Sequence, residues 1–292
     1  MDITLVIISY NSFKLVDNYI KNLSKRVPVI VIENSRNKNV KYYLEKKYKN
    51  TSVLIPTKNL GYGAGLNLGI KKSKTKFVFC STVDVIINNK NFFLFNKYKN
   101  LLKNLGMLSG TYNNEKVYKN YVIENEKIVD KNLLKDGIRE VDIIFGSAFL
   151  LNKKILKEKK ILKLFDENIF LYFEDNDVCI KLKKKNLKLF ICNKIKFNHS
   201  EQKSYNLDYD LKYKLSRNWH YCWSKFYFYK KHHSYIYALR KIFPNFIRAV
   251  RSLIFNSLKM NNSEILISIA QISGIFNSLM FKSSNYRIEK KN

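Results

Sequence analysis

Four apolar, β-branched runs punctuate the first hundred residues: TLVIISYN from Thr4, VPVIVIENS from Val27, TSVLIPTKN from Thr51 and KFVFCSTVDV from Lys76. Their hydrophobicity is continuous rather than alternating, as a strand buried on both faces requires, so they predict a parallel sheet covered by helices. Between them Phe13, Val16, Ile20 and Leu23 recur at helical spacing, and Leu60 to Lys72 makes a second helical unit. Such a βαβα start predicts an α/β fold whose ligands bind at the carboxyl ends of the strands. Further on, GMLSGTY, VDIIFGSAFLL and NLKLFICNKIKF each predict one more strand. From about Tyr209 the pattern becomes helical, basic and aromatic, which sets a boundary near residue 206 and divides the chain into 1–205 and 206–292.

The 46% hydrophobic content of 292 residues is ample for a packed core and excludes a disordered chain. The formal charge of +31 points to a polyanionic partner: nucleic acid, an anionic membrane surface or a phosphorylated substrate. Lysine, asparagine and isoleucine are all abundant, however, which matches an A/T-rich bacterial coding bias as well as it matches selection for binding. Cys80, Cys179, Cys192 and Cys222 form no CxxC pair, so neither a zinc knot nor a disulfide framework is expected, and a reducing cytoplasm suits them. The chain enters its first strand within a few residues of Met1, so no secretory signal is expected. The late apolar stretch EILISIAQISGIFNSLMF is interrupted by Ser268, Gln271, Ser273, Asn277 and Ser278 and predicts an amphipathic helix rather than a membrane span.

Each buried strand ends in polar residues: Ser9-Tyr10-Asn11, Glu33-Asn34-Ser35, Thr57-Lys58-Asn59 and Thr82-Val83-Asp84. One such end is an ordinary turn, but four on one sheet edge predict a pocket, with a nucleotide as its natural occupant. Gly61, Gly65 and Gly69 lie four apart and leave one helix face bare, open to close approach by a ligand or by the sheet itself. Asp84 is either a turn residue or an oxygen ligand for a divalent cation. Glu174, Asp175 and Asp177 follow the aromatic run FLYF; helix capping explains one or two of these carboxylates but not three. His199 is a surface histidine or a further metal ligand.

The pieces VIISYN, VIENS, NLGYGAGLNLGI, VDV, FGSAFLLNKKIL, FDENIFLYFEDNDVCIKLKKKN and NHSEQKS run in order from about residue 3 to 205. In this order they resemble the family 2 glycosyltransferases, in particular the rhamnosyltransferase-like branch of polysaccharide and O-antigen or capsule assembly. The resemblance implies a GT-A fold, a Rossmann-like mixed sheet flanked by helices, with a helical basic C-terminal extension. It implies that Ser9, Tyr10, Asn11 and Glu33 hold the base and ribose of a nucleotide, and that Asn59, Gly61 and Asn67 line the same pocket. The family's Asp-x-Asp-type motif falls on Thr82-Val83-Asp84, where only Asp84 keeps a carboxylate. Asp84, aided by His199, would hold Mg²⁺ or Mn²⁺.

By the same resemblance Asp175 is the base that deprotonates the acceptor hydroxyl, and Glu174 or Asp177 positions the acceptor or orients the base. The activity implied is an inverting transfer from a dTDP- or UDP-sugar, rhamnose being the most familiar, to a glycan or lipid-linked glycan acceptor. The cation and basic side chains nearby would lower the carboxylate pKa values. The basic aromatic tail predicts peripheral attachment to the anionic inner face of the cell membrane, or packing on the catalytic domain. Two rivals are a basic nucleic-acid-binding protein, for which no binding motif is evident, and a sugar-phosphate nucleotidyltransferase. The latter needs a glycine-rich loop with Arg and Lys after the first strand, where this chain has SYNSFKL.

Overall fold

A computed structural model describes residues 2–112, 122–124, 127–129, 137–199 and 211–287, with only the backbone of 122–124, 127–129, Ile86 and His199. The chain forms two compact units, Met1–Asp166 with Asp175–Ser204, and Glu167–Glu174 with Tyr205–Asn292. The expected boundary near 206 lies outside the described residues.

In the first unit the strands are β1 (Ile3–Ser9), β2 (Val29–Glu33), β3 (Thr51–Leu54), β4 (Phe77–Thr82), β5 (Val85–Ile86), β6 (Leu105–Tyr112), β7 (Val122–Glu124), β8 (Lys127–Val129), β9 (Ile138–Val141), β10 (Ala148–Asn152) and β11 (Lys188–His199). The helices are α1 (Phe13–Lys21), α2 (Lys38–Lys47), α3 (Tyr62–Lys72), α4 (Asn89–Tyr98), α5 (Lys153–Glu158) and α6 (Glu174–Lys183), the last beginning on the residue that closes the 167–174 segment. Nine strands make one sheet in the order β3-β2-β1-β4-β10-β6-β11-β5, with β9 also pairing to β11, while β7 and β8 form a separate hairpin. β1 to β4 are mutually parallel, as their unbroken apolar runs require, and β10 is inserted antiparallel between β4 and β6.

Both faces of the sheet are covered, because successive side chains of a strand point to opposite sides. Leu5, Ile7, Val31 and Phe79 pack with α1, α2 and α4 through Val16, Leu44, Phe92 and Phe95. Val6, Ile32 and Val78 pack with α3, α5 and α6 through Leu66, Leu156 and Leu182. Phe79 is fully buried, with ring centroids 5.6 and 5.0 Å from Phe92 and Phe95, the kind of site where truncation to alanine costs about 3–5 kcal/mol.

The bare face of α3 is covered by protein. A Cβ on Gly69 would lie 2.3 Å from Val6 Cγ1 and one on Gly65 3.0 Å from Ile8 Cδ1, so these two glycines serve close packing of helix on sheet. The run VDIIFGSAFLL also differs from the single strand expected of it. It divides into the last residue of β9 and the first four of β10, separated by residues 142–147. Gly146 and Ser147 fall in that break, where they have uses in the site below.

The second unit is a helical bundle of α7 (Leu211–His232), α8 (Tyr235–Leu258) and α9 (Asn262–Leu279). Its interior is partly polar: Ser268 and Ser278 of α9 are buried and their hydroxyls donate to the carbonyls of Glu264 and Trp223. A serine that bonds a nearby carbonyl satisfies itself without water. Leu266, Ile269, Phe276 and Met280 of the same helix are exposed instead. Among the described residues no helix is long and apolar enough to cross a membrane. All four cysteines are buried free thiols.

Candidate active site

Parallel register sets the strand tips level, with Ser9 beside Glu33 and Ile8 beside Thr82. β1 stands between β2 and β4, the point where the strand order reverses, and the crevice above it is where open α/β sheets bind ligands. The tip of β1 turns through Asn11, whose φ of 54° is a conformation asparagine tolerates better than most residues. Asn34 N–H donates to the Ser9 carbonyl at 2.8 Å, and the Asn34 carboxamide reaches over to the loop before α3, donating to Gly61 O at 3.0 Å and accepting from Leu60 N–H at 3.3 Å. Asn59 Oδ1 accepts from Gly61 N–H at 2.9 Å, and Gly61 itself has a φ of 79°, which a Cβ would strain. Asn34 thus locks the β2 tip to the α3 entry, a role the sequence reading did not assign.

Glu33 and Ser9 are both fully buried. Glu33 Oε1 accepts from the backbone and hydroxyl of Ser35, while Glu33 Oε2 and Ser9 Oγ have no hydrogen-bond partner among the described residues. Leaving such atoms buried without a partner costs about 1–3 kcal/mol each, more for a charge, so two side by side at a strand edge fit an absent polar ligand. Asn67 has a different environment. Its carboxamide donates to Phe165 O at 2.9 Å and accepts from Leu164 and Phe165 N–H, so it anchors that backbone.

Asp84 occupies the two-residue link from β4 to β5. β5 pairs antiparallel with β11, placing His199 opposite Val85, the neighbour of Asp84. The two expected metal ligands are therefore adjacent in register, although the His199 side chain lies outside the described residues, as does Ser200–Ser204. Among the described residues no three His, Cys, Asp or Glu side chains could jointly hold a metal. A carboxylate and an imidazole form a partial donor set of the kind that Mg²⁺ or Mn²⁺ completes with waters and substrate phosphates. The residues fit such a cation.

Asp175, in the first turn of α6, reaches this edge from the other side. Its Oδ2 accepts from the Gly146 backbone N–H at 3.1 Å, and a Cβ on Gly146 would lie 2.9 Å from Asp175 Cβ. Gly146 is clasped further by the Tyr62 hydroxyl on its carbonyl. The next residue, Ser147, accepts at its carbonyl from Thr82 N–H at 2.8 Å and donates its hydroxyl to Tyr112 Oη at 2.8 Å. Two buried phenols complete the link. Tyr19 donates to Ser81 Oγ at 3.0 Å and feels the charge of Asp84; Tyr112 feels that of Asp175; and each is raised above the ordinary tyrosine range chiefly by burial. Asp84 and Asp175 thus share one sheet edge rather than opposite sides of the unit.

Burial also raises the Asp175 pKa, against the lowering effect of the Asn176, Gly146 and its own N–H groups. The expectation that basic neighbours would lower it is therefore corrected at this residue: desolvation wins. Asp177 is fully buried and Glu174 is 8% exposed.

The strand-tip edge therefore combines unpartnered buried polar atoms with a partly accessible, desolvated carboxylate, and the sequence comparison gives the class of protein. The profile of Glycosyl transferase family 2 matches residues 4–158, and the chain belongs to that family; it is a glycosyltransferase. Family membership removes the nucleic-acid-binding and nucleotidyltransferase readings. No curated protein matches the chain in sequence. Among solved structures, the mannosyltransferase PcManGT from Pyrobaculum calidifontis, in complex with GDP-Man and Mn²⁺, is similar at 10% identity and a TM-score of 0.57 over 97% of this chain and 88% of that one. GalNAc-T7 with UDP, GalNAc and Mn²⁺ is similar at 12% identity and 0.57, over 83% of this chain and 56% of that one. TarS from S. aureus gives 15% and 0.51, over 75% and 39%. These likenesses establish the GT-A fold.

The raised pKa makes a stability prediction. A carboxyl whose folded pKa exceeds its unfolded value, about 3.9, stabilises the fold below that value and loses the contribution as pH rises through the folded pKa. Asp175→Asn, neutral at every pH, should therefore have a higher Tm than the native chain at pH 7, with the gap closing by about pH 4. Thermal unfolding across that range checks it; a variant less stable at pH 7 contradicts it.

Proposed function

We propose that this glycosyltransferase moves a sugar from a nucleoside-diphosphate sugar to a hydroxyl of a glycan or lipid-linked glycan, with inversion at the anomeric carbon. One observation carries the reading: the buried, unpartnered Glu33 Oε2 and Ser9 Oγ lie on the same sheet edge as Asp84 and Asp175. Nucleotide sugars or nucleotides accompany two of the structural neighbours, and Mn²⁺ both of them, which supports the donor class and a divalent cation. Uridine and deoxythymidine are the bases implied by the branch resemblance, and rhamnose the sugar.

In this reading Glu33 accepts a ribose hydroxyl and Ser9, Tyr10 and Asn11 bound the base, with Asn59 and Gly61 closing the wall opposite. Asn67 supports the wall through the Leu164–Phe165 backbone. A cation bound at Asp84 and His199 would offset negative charge on the departing diphosphate. Asp175 takes the acceptor proton as the acceptor oxygen bonds to the anomeric carbon. The bond from that carbon to the phosphate oxygen breaks, and its electron pair leaves with the nucleoside diphosphate. Holding the Asp175 pKa above the usual carboxylate range makes its ionised form a stronger base. Glu174 and Asp177 orient it.

Transfer and donor binding should separate at Asp175. With nucleotide sugars screened in the presence of Mn²⁺ or Mg²⁺, Asp175→Asn should lose at least about 10²-fold in turnover, the usual worth of a general base, while thermal stabilisation by the donor persists. Retained turnover would refute the base assignment.

The helical unit supplies a place to work: peripheral attachment to the anionic cytoplasmic leaflet. α8 exposes Ile236, Leu239, Phe243, Ile254 and Leu258 along one stripe, with Arg240 and Arg251 beside it, and α9 exposes Leu266, Ile269, Phe276 and Met280. An apolar stripe flanked by cations suits the interface of an anionic bilayer. The native chain should float with anionic liposomes, and Phe243→Glu with Ile254→Glu should abolish flotation without lowering Tm; unchanged flotation would refute the attachment.

A further inference from the structure

A second cavity lies wholly within the helical unit. Its volume is about 440 Å³, within the range of small-molecule sites, and Lys214 and Arg217 of α7 and Arg248 of α8 converge on it beside the rings of Tyr172 and Tyr221. Among the described residues no carboxylate lines it. From Leu211 to Arg287 the sequence has 13 Lys and Arg and a single acid, Glu264, so the surrounding helices provide almost no counter-charge. Among the described residues neither Lys214 nor Arg248 forms an ion pair.

The polar lining is also one-sided. Asn218 Oδ1 already accepts from Gln271 at 2.7 Å, and Asn245 Oδ1 from Lys225 Nζ at 2.7 Å. With those carboxamide oxygens engaged, what remains toward the cavity is chiefly donors: guanidinium, ammonium and hydroxyl groups. The field is felt by a neighbour, since burial and then the charge of Arg248 push Lys225 below the ordinary lysine range. Lys214 and Arg248 repel each other across the cavity, and an anion inside it lowers that repulsion.

Backbone strain points to the same wall. Tyr172 and Phe173 both have left-handed φ, 69° and 67°, each a conformation that costs about 1–3 kcal/mol for a bulky residue. They are held by neighbours in the unit: Arg217 Nε donates to Tyr172 Oη at 2.9 Å, and Phe173 packs at 5.3 Å on Phe228. The strained turn directs a phenol to the lining, and the next residues in the chain are Glu174 and Asp175.

We propose that this cavity is a phosphoryl-binding site, distinct from the strand-tip edge, that holds the phosphate or diphosphate group of the acceptor. Paired guanidinium groups match phosphate oxygens in geometry as well as charge. The assignment of the ligand as acceptor rests on the glycosyltransferase reading above; the anion site itself does not.

Calorimetric titration of the full chain with inorganic pyrophosphate tests the site, alongside the Arg217→Gln/Arg248→Gln double variant and, separately, Lys214→Gln. All three side chains are exposed, so folding should persist. Binding should weaken at least tenfold in the double variant, about what losing two charged hydrogen-bond donors implies, and by less in Lys214→Gln, while stabilisation by nucleoside diphosphates stays unchanged. Stronger binding of a long-chain alkyl diphosphate in non-ionic micelles than of pyrophosphate would identify a lipid-borne group, and equal binding a water-soluble one. Pyrophosphate affinity unaltered by the substitutions, or absent in the native chain, would overturn the proposal. So would loss of nucleoside diphosphate stabilisation in the double variant, since the donor would then occupy this cavity. If nucleoside diphosphates fail to stabilise even the native chain, it is the donor reading that falls.

Discussion

The hydrogen bond from the Gly146 backbone to Asp175 Oδ2 is the contact that brings Asp175 to the strand-tip edge. It exists because β10 runs antiparallel beside β4, so the start of β10 lies at the carboxyl end of the parallel strands. There the Gly146-Ser147 segment is gripped by β4 through Thr82, by α3 through Tyr62, by β6 through Tyr112 and by α6 through Asp175. A side chain at 146 would push Asp175 away, since its Cβ would already be in collision with that of the aspartate. One residue without a side chain thus allows a helix from late in the chain to present its carboxylate beside strands from the beginning.

Desolvation governs the chemistry of that edge. Burial opposes ionisation of Tyr19 and Tyr112 still further than usual, with Tyr19 feeling the charge of Asp84 and Tyr112 that of Asp175. The two carboxylates differ in setting: Asp84 lies in a turn adjacent to β11, and Asp175 is partly covered, its pKa raised by burial. Separation of environment is what lets neighbouring acids take different parts in one reaction.

Much of this was legible in the sequence wherever burial leaves a periodic or continuous signature. The strands β1 to β4 are buried on both faces, so their apolar runs and polar tips were visible, and with them Ser9, Glu33 and Asp84. The break inside VDIIFGSAFLL was hidden, because its apolar residues continue through the turn in which Gly146 and Ser147 bond to Asp175, Tyr62, Tyr112 and Thr82. The glycine spacing of α3 was ambiguous in principle: a bare face fits a ligand or a sheet, and only the position of Val6 and Ile8 decides. In α9 the serines suggested a solvent side, yet their hydroxyls bond carbonyls and turn inward, leaving apolar residues outside. The resemblance put Asn67 in the nucleotide pocket and gave Asn34 no role of its own; the contacts both make lie 26 to 98 positions away, which no local pattern encodes.

The convergence of strand tips on one nucleotide can be measured most directly by hydrogen–deuterium exchange with and without a nucleoside diphosphate and Mn²⁺. Segments around residues 9–12, 33–36, 59–62, 82–86 and 145–147 should gain protection together, because a single ligand would bridge them. Protection confined to the helical unit, or to one tip alone, would contradict a common donor site.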